Sequence, residues 1–219
     1  MGTKFLTNKN MSENKPVKRK LWHKEDVVEM DRQVEEYNAG KDIGYDQILV
    51  PYDVVGSVAY AKMLHKYGIL DDGELAELEK GLGEIQSLYD EGKFEVTLEN
   101  EDCHTAIESY LVENYGDVGK KIHTARSRND QVIVTERLYM RDKIAEIRGL
   151  AVKAALEFAR SAKEHEFVPM PGYTHTQKAM PTTVGMWLAS FAEGLVDDIR
   201  LLDQVAKINN QNPLGTGAG

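Results

Sequence analysis

The segment DQVIVTERLYMRDKIAEIRGLAVKAALEFARSAKE, residues 130–164, sets the architecture that we expect for this chain. Its apolar residues recur at alternating steps of three and four, which is the heptad pattern of a long helix in a bundle. Arg137 is the only interruption in the series Ile133, Met140, Ile144, Ile147, Ala151, Ala154 and Phe158. One helix over these residues would be about 50 Å long at 1.5 Å per residue, so it needs long partner helices.

The remaining periodic segments also predict helices. A second long helix is expected from Thr182 to about Asn209, and its apolar stripe consists of Leu188, Phe191, Leu195, Leu202 and Val205, with Asp198 as an interruption. Shorter helices are expected at 54–67, 70–92 and 102–115. The Pro- and Gly-rich stretch from Pro169 to Pro181 predicts a loop rather than a strand. We therefore expect an all-α fold.

Three parts are expected along the chain. Residues 1–20 are polar and basic, and they predict a flexible tail. Residues 21–124 carry the shorter helices and predict a small N-terminal helical domain. Residues 125–219 carry the long helices and predict the first part of a central long-helix bundle domain that is truncated and so incomplete.

Composition narrows the class of protein. Of the 219 residues, 42% are hydrophobic, which is enough for a sizeable core. The net charge of −9 repels nucleic-acid backbones and anionic lipid surfaces, so we expect neither nucleic acid nor membrane as a partner. Cys103 is the only cysteine, which excludes an intrachain disulfide and favours a reducing compartment. No secretory signal pattern and no run of about twenty apolar residues occurs, so we expect a soluble, cytoplasmic protein.

The first stretch that could carry chemistry is HTARSRNDQ, residues 123–131, which directly precedes the long helix. A helix N-terminus flanked by two guanidinium groups is a suitable receptor for a carboxylate in an otherwise acidic protein. The alternative is structural: Ser127, Asn129 or Asp130 caps the helix, and the arginines pair with nearby acids on the surface. The residue pattern leaves both interpretations open.

The second stretch is MPGYTHTQ, residues 170–177, in which prolines stiffen the backbone. His175 lies between two threonines and near Gln177, and these partners could fix a tautomer for acid/base chemistry near neutral pH. The alternative is that His175 and Thr174 only satisfy backbone groups ahead of the next helix. Spacing favours neither.

The third stretch is EDCHTAIE, residues 101–108, in which His104 and Glu108 lie four apart on one helical face. Such a pair is usually a helix contact worth about 0.2–0.5 kcal/mol. Two ligands of this kind match no zinc-helix pattern, so we expect no metal site. The terminal GTGAG, residues 215–219, follows a helix instead of a strand, and it does not predict a dinucleotide loop.

Taken together, these stretches resemble argininosuccinate lyase, a family within the fumarate-releasing lyase superfamily. The resemblance extends from Leu21 to Gly219 and rests mainly on SRNDQ at 127–131 and GYTHTQ at 172–177. It implies reversible cleavage of argininosuccinate into arginine and fumarate by acid/base β-elimination, without a metal or organic cofactor. It also implies a homotetramer in which each active site is shared among three subunits.

The resemblance implies roles for individual residues as well. His175 would be the acid/base group, with Thr174 beside it as the second catalytic residue. The residues implied to bind or line the substrate site are Asn129, Thr174, Arg128, Ser127, Asp102 and His104.

The chain departs from the family pattern at two places. It reads Tyr37-Asn38-Ala39-Gly40 where many relatives have a substrate-binding serine, so a backbone amide or Lys41 would replace that contact. It also ends before the family's mobile glycine-serine-serine loop, which carries the catalytic serine and a lysine. We therefore expect this chain alone to be inactive. The alternatives are a non-catalytic structural protein similar to delta-crystallin and a sister fumarate-releasing lyase such as adenylosuccinate lyase.

Overall fold

The computed structural model describes residues 32–213. Its helices are α1 (Arg32–Ala39), α2 (Asp42–Lys66), α3 (Asp72–Asp90), α4 (Cys103–Tyr115), α5 (Asp117–Lys121), α6 (Arg128–Glu164) and α7 (Val184–Asn209). The antiparallel strands β1 (Pro169–Thr174) and β2 (Gln177–Thr183) form a hairpin between α6 and α7. The predicted all-α class is confirmed, with this small sheet as an addition. The expected tail at 1–20 lies outside the described residues, and the domain division stays a prediction.

The shorter helices pack around one apolar core. Leu78, Leu82 and Ile85 of α3 are completely buried there, as the spacing of the apolar residues in this helix predicts. The helix begins with a capping box, because Asp71 accepts a hydrogen bond from the backbone N–H of Glu74 at 2.8 Å and the Glu74 carboxylate accepts one from the backbone N–H of Asp71. Reciprocal capping satisfies two first-turn donors, so α3 has a well-defined start.

Helix α2 differs from its prediction, because it begins at Asp42 rather than Val54 and continues through Pro51. Proline lacks the backbone N–H and usually interrupts a helix interior. Here Val50 and Val54, on either side of Pro51, are both buried in the core. The burial of apolar side chains on both sides offsets the missing hydrogen bond, an effect that the local pattern does not reveal.

Helices α6 and α7 lie antiparallel, since later residues of α6 meet earlier residues of α7. Phe158 stacks on Phe191 with ring centroids 5.4 Å apart, and Arg148 Nε donates to Asp203 Oδ1 at 2.6 Å. The two long helices are therefore confirmed, with starts two residues from the predicted ones.

Many large apolar side chains of these two helices stay exposed in the single chain, and we call these residues, which include Ile147, Leu156 and Leu201, the apolar seam. Ile147 is 53% exposed, Leu156 66% and Leu201 63%. One antiparallel partner covers only one side of a helix, so the seam has room for further helices. Within residues 32–213, no helix combines the length and the apolar content needed to cross a membrane.

The prediction of a loop from Pro169 to Pro181 is wrong, because this stretch forms the β1–β2 hairpin. Its two-residue turn consists of His175 and Thr176, both with positive φ, which matches the right-handed twist of the flanking strands. Both strands are largely exposed, so their side chains need not alternate between polar and apolar. The usual sequence signal of a strand is consequently missing.

Gly185 provides a test of the packing between α6 and α7. A Cβ at this residue would lie 2.5 Å from Cα of Glu166 and 2.6 Å from the carbonyl oxygen of Ala162, whereas one at Gly194 of the same helix would meet nothing within 4 Å. Gly185→Ala should lower the free energy of unfolding by about 1–3 kcal/mol, as overpacking does. The control Gly194→Ala should raise it by about 0.5–1 kcal/mol, because alanine favours a helix. Urea unfolding followed by circular dichroism measures both, and equal effects would contradict the close approach.

Candidate functional site

The N-termini of α4 and α6 meet, and this brings two of the predicted stretches together. Asp102 is the N-cap of α4, where its Oδ1 accepts a hydrogen bond from the backbone N–H of Thr105 at 2.7 Å. Its Oδ2 forms an ion pair with the guanidinium of Arg128 in the first turn of α6. Asp102 is buried, but about half of the Arg128 side chain is accessible. Arg128 therefore keeps surface with which it can contact an anion.

His104 and His123 face each other close to this ion pair. His104 Nε2 lies 3.1 Å from His123 Nδ1 and 3.5 Å from Glu108 Oε2. His104 is 3% exposed, and its Nδ1 has no hydrogen-bond partner among residues 32–213. Burial lowers the pKa of His104, and burial together with the Arg126 charge lowers the pKa of His123, so both rings are neutral near pH 7. The spacing argument identified His104 and Glu108, but it missed His123 as their neighbour.

Arg126 secures the turn that leads into α6. Its guanidinium lies over the ring of Tyr60, 4.2 Å from the centroid, and its Nη2 donates to the carbonyl of Ile122 at 3.5 Å. The Tyr60 hydroxyl in turn donates to the carbonyl of Thr124 at 2.6 Å. These contacts hold the segment before α6 against α2, and the residue pattern gave no sign of the aromatic partner.

Ser127 is the N-cap of α6, which confirms the structural interpretation for this residue. Its Oγ accepts a hydrogen bond from the backbone N–H of Asn129 at 3.2 Å, and the Asp130 carboxylate accepts one from the backbone N–H of Ser127 at 2.9 Å. The Ser127 hydroxyl is therefore engaged by the helix end. The side chain of Asn129 is exposed, and its role in substrate binding stays a prediction.

A buried polar network between α2 and α6 escaped the sequence analysis. Asp53 is 1% exposed, and its Oδ1 accepts hydrogen bonds from Ser57 Oγ at 3.0 Å and from Gln131 Nε2 at 2.5 Å. Thr135 Oγ1 lies 3.5 Å from the other carboxylate oxygen. Burial raises the pKa of Asp53 to about 6. The sequence signal for this network was the spacing of Asp53 and Ser57, two polar residues four apart among the apolar residues of α2. This spacing does not identify their partners on α6.

Backbone strain concentrates in the predicted stretches. Four non-glycine residues in the described range have positive φ, and every one of them lies in these stretches. Glu101 (φ 70°) precedes the cap of α4, Ala125 (φ 55°) lies before α6, and His175 (φ 48°) and Thr176 (φ 64°) form the hairpin turn. Such conformations cost about 1–3 kcal/mol each, and they cluster at functional sites.

Thr174 and His175 are not close to the other predicted site residues in one chain. They lie at the tip of the hairpin beyond the far end of α6, whose 37 residues span about 55 Å. Both side chains are exposed, and strands of six and seven residues are too short to return to the start of α6. The group at the start of α6 consists of Asp102, His104, Ser127, Arg128 and Asn129.

Argininosuccinate lyases are among the known proteins similar to this chain. A family model described as a lyase matches residues 25–219. Argininosuccinate lyase from Thermotoga neapolitana is 42% identical over 200 residues, which cover 91% of this chain and 50% of that protein. Argininosuccinate lyase from Bacteroides fragilis is 40% identical over 200 residues, which cover 91% of this chain and 44% of that protein. The chain thus spans about half the length of the curated relatives that it matches.

Solved structures share the fold. A variant of EDDS lyase with bound fumarate superposes with a TM-score of 0.70 at 25% identity, covering 88% of this chain and 38% of that one. A protein from Brucella melitensis described as fumarate lyase:delta crystallin superposes with a TM-score of 0.66, covering 78% of this chain and 44% of that one. Its 20% identity shows the fold alone.

The raised pKa of Asp53 predicts how the free energy of unfolding depends on pH. Its pKa of about 6 in the folded chain exceeds the ordinary value of 3.8, so the folded state binds this proton more tightly than the unfolded state does. Below about pH 4, this tighter proton binding stabilises the folded state by about 3 kcal/mol. The stabilisation is lost as the pH rises to about 6. Asp53→Asn cannot titrate, so its free energy of unfolding should decrease less over this pH range.

The control for this comparison is Asp142→Asn, which removes an exposed carboxylate of α6. Urea unfolding at several pH values should give the wild-type slope for the control and a shallower slope for Asp53→Asn. Identical slopes for all three proteins would contradict a raised pKa of the buried Asp53.

Proposed function

Because the chain belongs to the lyase family whose model matches residues 25–219, we propose that it forms part of an enzyme that cleaves argininosuccinate into arginine and fumarate. Relatives named argininosuccinate lyase, at 42% and 40% identity, support this substrate. The stretches SRNDQ and GYTHTQ support it as well. The reaction is a β-elimination, in which a base removes a proton from the carbon beside a carboxylate and an acid protonates the departing guanidinium nitrogen.

The observation that carries the proposal is the contact between Asp102 and Arg128. It joins the first turns of α4 and α6, and the partial positive charge of helix N-termini favours a bound anion. Arg128 adds a guanidinium, which binds carboxylates in a bidentate manner. The chain as a whole carries a charge of −9, so this local concentration of positive charge and donors is what a substrate with several carboxylates needs.

The residues at this junction have distinct proposed roles. Asn129 binds a substrate carboxylate, because its side chain is exposed in the first turn of α6 beside Arg128. Ser127 contributes mainly by capping that turn, and Asp102 orients Arg128. Removal of the proton builds negative charge on the neighbouring carboxylate, and donors that are already in place stabilise this charge in the transition state. His104 lines the same region.

His175 is the proposed acid/base group, and Thr174 binds substrate beside it. The length of α6 separates Thr174 and His175 from the α4–α6 junction of the same chain. A complete site therefore needs the hairpin of a neighbouring copy at this junction. We therefore propose a homotetramer with shared active sites. The exposed apolar seam of α6 and α7, which includes Ile147 and Leu201, supports such an assembly, because copies that pack there would remove it from water.

The proposal is tested with a chimera in which this chain replaces the matching half of the Thermotoga neapolitana enzyme. Light scattering establishes that the chimera assembles, and ultraviolet absorbance of fumarate reports turnover of argininosuccinate. Release of fumarate from adenylosuccinate alone would instead identify a sister lyase. An assembled chimera that turns over neither substrate would favour a structural protein similar to delta-crystallin.

His175→Asn in this chimera tests the acid/base role. Asparagine tolerates the left-handed conformation better than most residues, so the turn at φ 48° is retained. Turnover should fall by about 10²–10⁴-fold, the usual contribution of a general acid or base, while the unfolding midpoint stays unchanged. The control His165→Asn replaces an exposed histidine at the end of α6 and should keep full turnover. An unchanged turnover number for His175→Asn would remove this residue from the mechanism.

A further inference from the structure

We propose that His104, His123 and Glu108 bind a divalent transition-metal ion, with Zn²⁺ as the representative. Each of these residues offers one ligand atom, an imidazole nitrogen or a carboxylate oxygen, and the three atoms lie within 4.8 Å of one another. The two segments involved are α4 and the turn after α5. This site goes beyond the proposed function, since it concerns the binding of an ion and not the elimination reaction, and it shares His104 with the region that lines the α4–α6 junction.

Two of the three distances between the ligand atoms are close to those around one tetrahedral ion. His104 Nε2 lies 3.1 Å from His123 Nδ1 and 3.5 Å from Glu108 Oε2. Two ligands about 2.0–2.2 Å from zinc at the tetrahedral angle are themselves about 3.3–3.6 Å apart. The contacts of His104 with the other two ligands are thus close to the required spacing, and the third pair, His123 and Glu108, lies within 4.8 Å and would draw together around an ion.

The protein holds the three ligands in place before any ion binds. His104 and Glu108 lie on successive turns of α4, with 4% and 16% of their side chains exposed. Helix α5 packs so tightly on α4 that a Cβ at Gly119 would lie 2.5 Å from the carbonyl carbon of Leu111. Ile122, which is 1% exposed, anchors the turn that carries His123. Ligands on such supported elements form a preorganised site.

The ligand types favour a transition metal over Mg²⁺ or Ca²⁺. Imidazole nitrogens suit Zn²⁺, Cu²⁺ and Ni²⁺, whereas Mg²⁺ and Ca²⁺ prefer a shell of oxygen atoms. In the absence of an ion, one of the two facing ring nitrogens must donate to the other, but a bound cation accepts both lone pairs. Arg126 places a positive charge beside His123 and Glu108, so the bonds between an ion and its ligands must be strong enough to exceed this repulsion. Three protein ligands leave the fourth position open to water or an anion.

Titration of the metal-free chain with Co²⁺ tests the site, because tetrahedral Co²⁺ with nitrogen ligands has intense visible absorption bands. We expect these bands to saturate at one ion per chain, and Zn²⁺ to abolish them while Mg²⁺ leaves them unchanged. His123→Gln and the nearly isosteric Glu108→Gln should each weaken Zn²⁺ binding by more than about tenfold, the loss found on removing even an outer partner of a metal ligand. Calorimetry measures these affinities.

The matched control is His65→Gln, which removes a histidine whose Nε2 contacts Asp72 Oδ1 at 2.8 Å and that lies outside the cluster of three ligands. This variant should bind Zn²⁺ like the wild type. Circular dichroism identifies any variant that does not fold, and Glu108→Gln then carries the test, because its side chain keeps the original shape. Absence of the tetrahedral bands, unchanged affinity in Glu108→Gln, or loss of binding in His65→Gln would each overturn the proposal.

Discussion

A carboxylate that is removed from water must find hydrogen-bond donors, and the burial of Asp53 between α2 and α6 imposes this requirement on the whole junction. Ser57 on α2 and Gln131 on α6 donate to it, so the first turns of α6 are tied to the middle of α2. This attachment sets where α6 starts relative to the smaller helices. The contact between Asp102 and Arg128, and with it the arrangement of the α4–α6 junction, depends on that placement.

The same junction shows how caps and strain work together. Asp102 and Ser127 cap the N-termini of their helices with side-chain hydrogen bonds, while Glu101 and Ala125 just before them adopt positive φ. The unfavourable backbone conformations make the chain turn sharply, and the caps compensate by satisfying the first-turn donors. The side chains that meet at the start of α6 are thereby held by backbone geometry rather than by flexible loops.

The long helix also separates the two groups of predicted site residues. Its first turn carries the polar junction, whereas its far end carries the hairpin with His175 at an exposed, left-handed turn. About 55 Å of regular helix between them cannot bend to bring the ends together. A chemistry that needs both ends must therefore combine several copies, and the exposed apolar residues along α6 and α7 are the surface through which copies would pack.

The long helices, the core face of α3 and the starts of α4 at Asp102 and of α6 at Ser127 were predictable, because helical period and capping residues are local properties of a chain. The extension of α2 through Pro51 and the β1–β2 hairpin were not, since core packing and backbone pairing outweigh local preference there. The contact between His104 and His123 and the hydrogen bond between Gln131 and Asp53 were also not predictable. These partners lie 19 and 78 residues apart in the chain. Such contacts arise when separate helices pack, and no spacing along the chain encodes which polar side chains will then share a buried space.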